Sequence, residues 1–534
     1  MRLRSILPLL AALCCLTATA QHHQQKAQAR PKLVVAIVVD QLRTDYVEYL
    51  SPLMSSEGFR KLKGEGAYFR DVEFTPAHMD LASATAMIFT GATPNETGIP
   101  AAEVWDPASL REVPALSDKN TLGVNSALTI SPQPLLLSTL ADELMIDGAG
   151  LSMIQAVAAD PQQAVIMAGH SGNGASWLST TDGRWATSSY YKELPQSAAN
   201  RNFRMPLSAR VDTMQWKPLL SIDRYPGLPA QKRQYDFRHT FPSRAKEVYE
   251  QFAASPRGNE EVTSLAIDMI KGLNMGRRGD TIDMLCLGYT LAPFRWVKDG
   301  DYRLELQDAY LRLDLQLERL LKAIDQSVGL ANCVIMLTGT GYYNDAVPTD
   351  AKYRIPSGDF STKRAIALLN GFFSAKYGPG NYVDSFTGGG FHLALKVLES
   401  KGINPADAAR DAKEFLMKMS GVRSVYTLSE ILSPDDEETR RLYLSTDSRT
   451  APQLTIELTP GWTLVEDHTF PIVTTPIRRG AISTPGFFFE PGRVSRADIS
   501  TPVSATSLAP TLTSLLHLRA PNGAASRPIS LPQP

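Results

Sequence analysis

The side chains best placed for chemistry lie at the ends of apolar runs. Asp40 closes the β-branched run at residues 33–39. A carboxylate at the carboxyl end of a buried strand sits where ligands collect in open α/β sheets, although a helix N-cap Asp reads the same way. His78, Asp80 and Glu103 follow and would, with Asp40, supply an acid/base set or a single-metal site, but nothing in their spacing requires them to converge. Asp467-His468 is the only Asp-His dipeptide; it is a general-base pair on its chemistry and an exposed loop pair on frequency. Thr338-Gly-Thr-Gly341 is glycine-rich at a strand end, yet it lacks the spacing and the Lys of a phosphate loop and reads better as a tight turn.

These groups need a scaffold, and the chain has one. Its 534 residues are 43% apolar, enough for a large core, and 54 Lys plus Arg against 55 Asp plus Glu leave a net charge of −1. That balance supplies no global field to hold nucleic acid or an anionic membrane. Arg2 and Arg4 precede an apolar run at residues 6–16, and Ala18-Thr19-Ala20 offers small residues at a signal-peptidase site. Residues 1–20 therefore read as a signal peptide cleaved after Ala20, leaving a protein that is periplasmic, secreted or peripheral to the outer membrane. The run is shorter than the ~20 residues of a membrane span, so no transmembrane segment is expected; Cys14 and Cys15 leave lipidation as an alternative. Cys286 and Cys333 lie in apolar runs and read as buried thiols rather than a disulfide framework.

After a polar linker at 21–31, strands are predicted at 33–39, 152–158, 164–168, 282–289, 334–338 and 486–489. Helices are predicted at 135–146, 260–273 and 306–324, where Leu306, Tyr310, Leu313, Leu317, Leu320 and Ile324 share one face. Strand and helix alternate, which argues an α/β fold with a mainly parallel central sheet and helices on both faces. The organisation expected is one α/β domain over 32–520 with cap insertions at about 171–257 and 342–450, then a C-terminal tail at 521–534.

Several segments in order resemble the alkaline-phosphatase superfamily, specifically the phosphate-irrepressible alkaline phosphatases and their type I phosphodiesterase/nucleotide pyrophosphatase relatives. They are Pro31-Lys-Leu-Val-Val-Ala-Ile-Val-Val-Asp40-Gln-Leu-Arg-Thr-Asp-Tyr46, Ile88-Phe-Thr-Gly-Ala-Thr-Pro-Asn-Glu-Thr-Gly-Ile99, Ala168-Gly-His170 with Thr181-Asp-Gly-Arg-Trp-Ala-Thr-Ser-Ser-Tyr-Tyr191, Gly258-Asn259, Asp308-Ala-Tyr-Leu-Arg-Leu-Asp314, and residues 499–518. The resemblance implies two zinc ions held by Asp and His ligands, with a Thr or Ser nucleophile.

Carried over position by position, only the first ligand is met, by Asp40. The nucleophile slot holds Met79 or Asp80. One Asp/His ligand pair is replaced by Leu291 and Arg295, and the next by Thr340 and Gly341. The last ligand His is missing near residues 470–474, with His468 out of register. The phosphate-orienting Asn slot holds Ala102 and the cationic clamp slots hold Asp160 and Gln162. The expectation is thus a pseudoenzyme without a cofactor, binding or scaffolding in a bacterial cell envelope, with an envelope protein as its partner. The alternative is a working phosphate monoester or diester hydrolase with a remodelled metal site, using Asp80 and one metal or two zinc ions.

Overall fold

The structure is a computed structural model that describes residues 30–234, 236–297, 300–343, 358–465 and 483–534. The segment expected as a signal peptide, most of the expected linker and Asp467-His468 lie outside the described residues.

The first strand, β1 (Leu33–Asp40), is buried along all eight residues. Its side chains alternate between two cores: Val35, Ile37 and Val39 pack on one face of the sheet, Val34, Ala36 and Val38 on the other. A strand buried on both faces is a continuous β-branched run because neither side meets water. Nine further strands complete the sheet: β2 (Ala67–Phe69), β3 (Gly123–Val124), β4 (Ile154–Ala158), β5 (Gly174–Leu178), β6 (Trp185–Ser188), β7 (Asp283–Thr290), β8 (Cys333–Gly339), β9 (Gly486–Phe489) and β10 (Ala497–Ile499). They run in the order β10-β2-β9-β8-β1-β7-β4-β5-β6-β3. The centre, β8-β1-β7-β4-β5, is parallel. Strand β9 is antiparallel to β8, and β6 to β5. The expected fold class, α/β around a mainly parallel sheet, is what the molecule shows.

Helices cover both faces. On one, α3 (Pro256–Gly272) and α4 (Arg303–Ser327) bury Leu265, Ile270, Leu313 and Leu317 against Val35 and Ile37. On the other, α1 (Leu81–Thr90) and α2 (Pro161–Ala168) bury Met87, Phe89, Val165 and Met167 against Val34 and Val38. Residues 164–168, predicted as a strand, belong to α2. The Asp160 side chain caps it by accepting from Gln163 N at 2.8 Å, and Pro161 opens its first turn. A short apolar run has no period of its own, so the Asp-Pro start signal decides it. The helix predicted from 135 begins only at Leu140, because the Thr139 hydroxyl and Asp142 form a capping box there; residues 131–139 are an irregular strap.

Residues 174–188, within the stretch expected as the first insertion, form β5 and β6 of the main sheet. Residues 358–465 build a smaller lobe, a four-stranded antiparallel sheet (Val383–Thr387, Gly390–Leu393, Leu454–Leu458, Val422–Thr427) around its own core of Phe373, Phe391 and Leu416. The hairpin Glu103–Asp106/Arg111–Pro114 touches this lobe: Trp105 stacks on His392 with ring centroids 5.5 Å apart, and the Thr387 hydroxyl donates to the Glu112 carboxylate. Among the described residues no helix is long and apolar enough to cross a membrane.

Candidate functional site

The carboxyl ends of β1, β7 and β8 meet at Asp40. Register places Asp40 beside Thr290 and Val39 beside Gly339, so the residues following β8 fold over the Asp40 carboxylate. The Tyr342 hydroxyl donates to Asp40 Oδ1 at 2.5 Å and the Thr340 hydroxyl to the same oxygen at 3.3 Å. Thr340 Oγ1 also accepts from Gln41 N at 2.9 Å, which fixes the turn in which Gln41 adopts φ 58°. Burial pushes the Asp40 pKa up to about 6; the two hydroxyls oppose the rise, and the negative charges of Asp160 and Asp80 add to it.

Asp80 is the N-cap of α1. Its Oδ1 accepts from Ser83 N and Ser83 Oγ, both at 2.9 Å, and its Oδ2 accepts from Ala102 N at 2.5 Å. Both oxygens are therefore engaged in holding a helix start and the Ala102 turn. Burial raises the Asp80 pKa, with those hydrogen bonds opposing. Met79 packs half-buried against the apolar core. Gln162 clamps the Ala102 turn from α2: its Nε2 donates to Ala102 O at 2.8 Å and its Oε1 accepts from Leu116 N at 3.2 Å. Asp160 caps α2, its pKa pushed to about 6 by burial, with Asp80 adding like charge. A site of this composition disfavours a phosphate dianion.

The remaining slots diverge. Leu291 is buried, its N–H donating to Asp40 O at 2.9 Å. Arg295 points outward, paired with Glu250 and stacked on Trp296 with its guanidinium 4.3 Å from the ring centroid. Gly341 sits at φ +75° with the Phe74 ring where a side chain would go. Glu103, at the start of the hairpin, does face the site: although the residue is exposed, partial burial of its carboxyl and the negative charges of Glu112, Asp160 and Asp80 push its pKa up to about 7. His78 bonds through its backbone N to Ser445 of the smaller lobe at 2.9 Å. His170 pairs with Asp142, His239 with Glu305, and His517 accepts from Arg493. The sequence reading brought out Asp40, Asp80, Ala102, Asp160, Gln162 and Thr340, and the fold gathers them; it missed Tyr342 and Thr290. Tyr342 had one signal, its position two residues after Thr340.

A zinc site takes three or four Cys, His or carboxylate donors. Around Asp40 stand the hydroxyls of Thr340 and Tyr342, a leucine and a glycine, and among the described residues no group of three or more His, Cys, Asp or Glu is arranged to hold a metal ion. The described residues do not fit a two-zinc cluster. What they do is stabilise one buried carboxylate. Removing the Tyr342 donor should therefore matter: Tyr342→Phe is expected to lower stability at pH 8 by about 1.5–3 kcal/mol, the range for a hydrogen bond to a charged group, as measured by denaturant unfolding.

Comparison with known proteins agrees with the fold. The chain is 25% identical to Alkaline phosphatase PhoV of Synechococcus elongatus, over 99% of each chain. It is 26% identical to Alkaline phosphatase PafA of Elizabethkingia meningoseptica, over 95% of each. The crystal structure of wild-type PafA superposes with a TM-score of 0.81 at 25% identity, covering 94% of this chain and 99% of that one. Murine ectonucleotide pyrophosphatase / phosphodiesterase 5, at 11% identity and a TM-score of 0.51, shares the fold alone. Residues 34–471 match the pattern of one family across most of the chain, and this protein belongs to it: the type I phosphodiesterase / nucleotide pyrophosphatase family.

Proposed function

We propose that this family member is a pseudoenzyme: it does not hydrolyse phosphate esters and instead serves as an exported binding or scaffolding component of the bacterial cell envelope, with an envelope protein as its partner. The observation that carries this reading is the Asp40 carboxylate held by the Tyr342 and Thr340 hydroxyls, which come from the very segment where the resemblance puts an Asp-His ligand pair. Asp80, the carboxylate at the nucleophile slot, has both oxygens occupied in capping α1 and the Ala102 turn. Loss of the metal pair, the nucleophile and the clamp removes the terms that lower the barrier. Each 1.36 kcal/mol is about tenfold in rate, so several losses together put turnover near background. Export rests on the Arg2/Arg4, apolar and Ala18-Thr19-Ala20 pattern; N-terminal sequencing of the mature protein should begin at Gln21.

The test is turnover of aryl phosphate mono- and diesters with and without added zinc. No zinc-dependent hydrolysis is expected, and Asp40→Ala and Asp80→Ala should leave any trace rate unchanged. Ordinary enzymatic rates abolished by Asp80→Ala would replace the pseudoenzyme reading with the remodelled hydrolase. Chelation gives a second readout. A metal bound only by the folded state contributes RT ln(1 + [L]/Kd), roughly 4 kcal/mol at a thousandfold excess over Kd, so EDTA should leave the melting temperature where it was.

A further inference from the structure

Both ring nitrogens of His170 face oxygens that have no proton to give. Nδ1 lies 3.1 Å from Asp142 Oδ2, and Nε2 lies 3.0 Å from the Leu135 carbonyl oxygen. A neutral imidazole carries one N–H, so in that form one of the two contacts sets lone pair against lone pair. Only the imidazolium donates to both. Asp142 is fixed in place: Oδ2 accepts from Thr139 N at 2.8 Å and Oδ1 from Ser171 N at 2.7 Å.

Leu135 belongs to the irregular strap at 131–139. Other ties along it are Ser131 Oγ to Asp118 Oδ2 at 2.6 Å, Leu136 N to Thr97 O at 3.0 Å and Ser138 N to Asn522 Oδ1 at 2.9 Å. The strap forms one wall of an open pocket of about 430 Å³ lined by Asp118, Asn120, Thr121, Gln133, Ser189 and Tyr190. Gln133 comes from the strap itself, and the Tyr190 hydroxyl donates to the His170 carbonyl oxygen at 2.8 Å. Through Thr97, the strap also abuts the turn that leads to Ala102.

We propose that His170 is a pH-operated latch. Protonated, it clips the strap at Leu135 to Asp142 on the helix Leu140–Asp147. Deprotonated, it releases Leu135 and loosens the pocket wall that carries Gln133. Asp142 supplies the charge that favours the imidazolium. Asp142 faces the ring directly, Glu143 on the same helix is occupied by Arg519 and the Ser138 hydroxyl, and Tyr190, with Asp118 beyond it, lies on the pocket side. The hydrogen bond to Asp142 raises the His170 pKa above its ordinary 6.5, with burial opposing. A histidine whose folded pKa is raised stabilises fully below its unfolded value and loses that contribution as pH climbs through the folded one. The latch therefore opens on the alkaline side.

Hydrogen exchange of residues 131–139 at pH 6 and pH 9, corrected for the intrinsic pH dependence of amide exchange, tests this. Protection at Leu136 and Ser138 should fall about tenfold for each unit by which the His170 pKa is raised. In His170→Gln, whose amide donates to Leu135 at every pH, protection should be equal at both. Histidine-labelled NMR should show the His170 ring titrating above 6.5. Equal wild-type protection at the two pH values, or a ring that titrates at or below 6.5, would overturn the latch, and these wild-type measurements decide even if the variant fails to fold.

Discussion

Gly341→His, which installs one member of the ligand pair that the family resemblance places at 340–341, is expected to destabilise the protein by about 2–6 kcal/mol and to recruit no zinc. At φ +75° a Cβ on residue 341 would lie 2.1 Å from Phe74 Cδ2 and 2.5 Å from Phe74 Cγ. A non-glycine residue in that backbone region carries a strain of about 1–3 kcal/mol. Forcing atoms into the packed space held by Phe74, itself part of the apolar core, adds about 1–3 kcal/mol more. The space that a side chain at 341 would occupy belongs to an aromatic ring. Thermal unfolding and a zinc-binding titration of the variant check both halves of this expectation. A variant as stable as the parent that binds zinc would mean the metal site is one substitution away.

Asp40→Asn is expected to raise stability at pH 8 by up to about 3 kcal/mol and to change it little at pH 4. The Asp40 pKa stands at about 6 in the fold against 3.8 for the free side chain, chiefly because burial disfavours the charge. Between those values the folded protein binds the proton that the unfolded chain releases. Stability therefore falls as pH rises across that window, by about 1.36 kcal/mol per unit, and stays low above it. Asn carries no charge to desolvate, and its carbonyl oxygen still accepts from the Tyr342 hydroxyl. That oxygen also keeps the Thr340 hydroxyl, 3.3 Å from Asp40 Oδ1, while the amide nitrogen takes the place of Oδ2, where the Thr290 hydroxyl oxygen lies at 3.5 Å. Denaturant midpoints of parent and variant across pH 4–8 would decide it, and a variant less stable than its parent at pH 8 would show that the carboxylate at Asp40 is held by a compensating charge.

Much of the architecture is legible in the sequence because it rests on short-range signals. The alternation of Val34, Ala36 and Val38 with Val35, Ile37 and Val39 already implies a strand between two apolar layers. Asp80 with Ser83 and Thr139 with Asp142 are helix starts set within four residues, although reading 135–146 as one helix passed over the second of them. That Leu291, Arg295, Thr340 and Gly341 carry neither carboxylate nor imidazole is likewise a matter of residue type, readable without coordinates. Tertiary structure alone decided what fills the site. Tyr342 lies 302 positions from the carboxylate it caps, and only the parallel pairing of β1 with β8 brings the two together. That residues 164–168 are a helix rather than a strand is, by contrast, set by the local Asp160-Pro161 start, since a run apolar on every side has no period to declare its conformation. Local propensity and capping act over a few residues, whereas a site at the carboxyl edge of a parallel sheet is assembled from strand ends far apart in the chain, and which side chain closes over which is set by their register and packing.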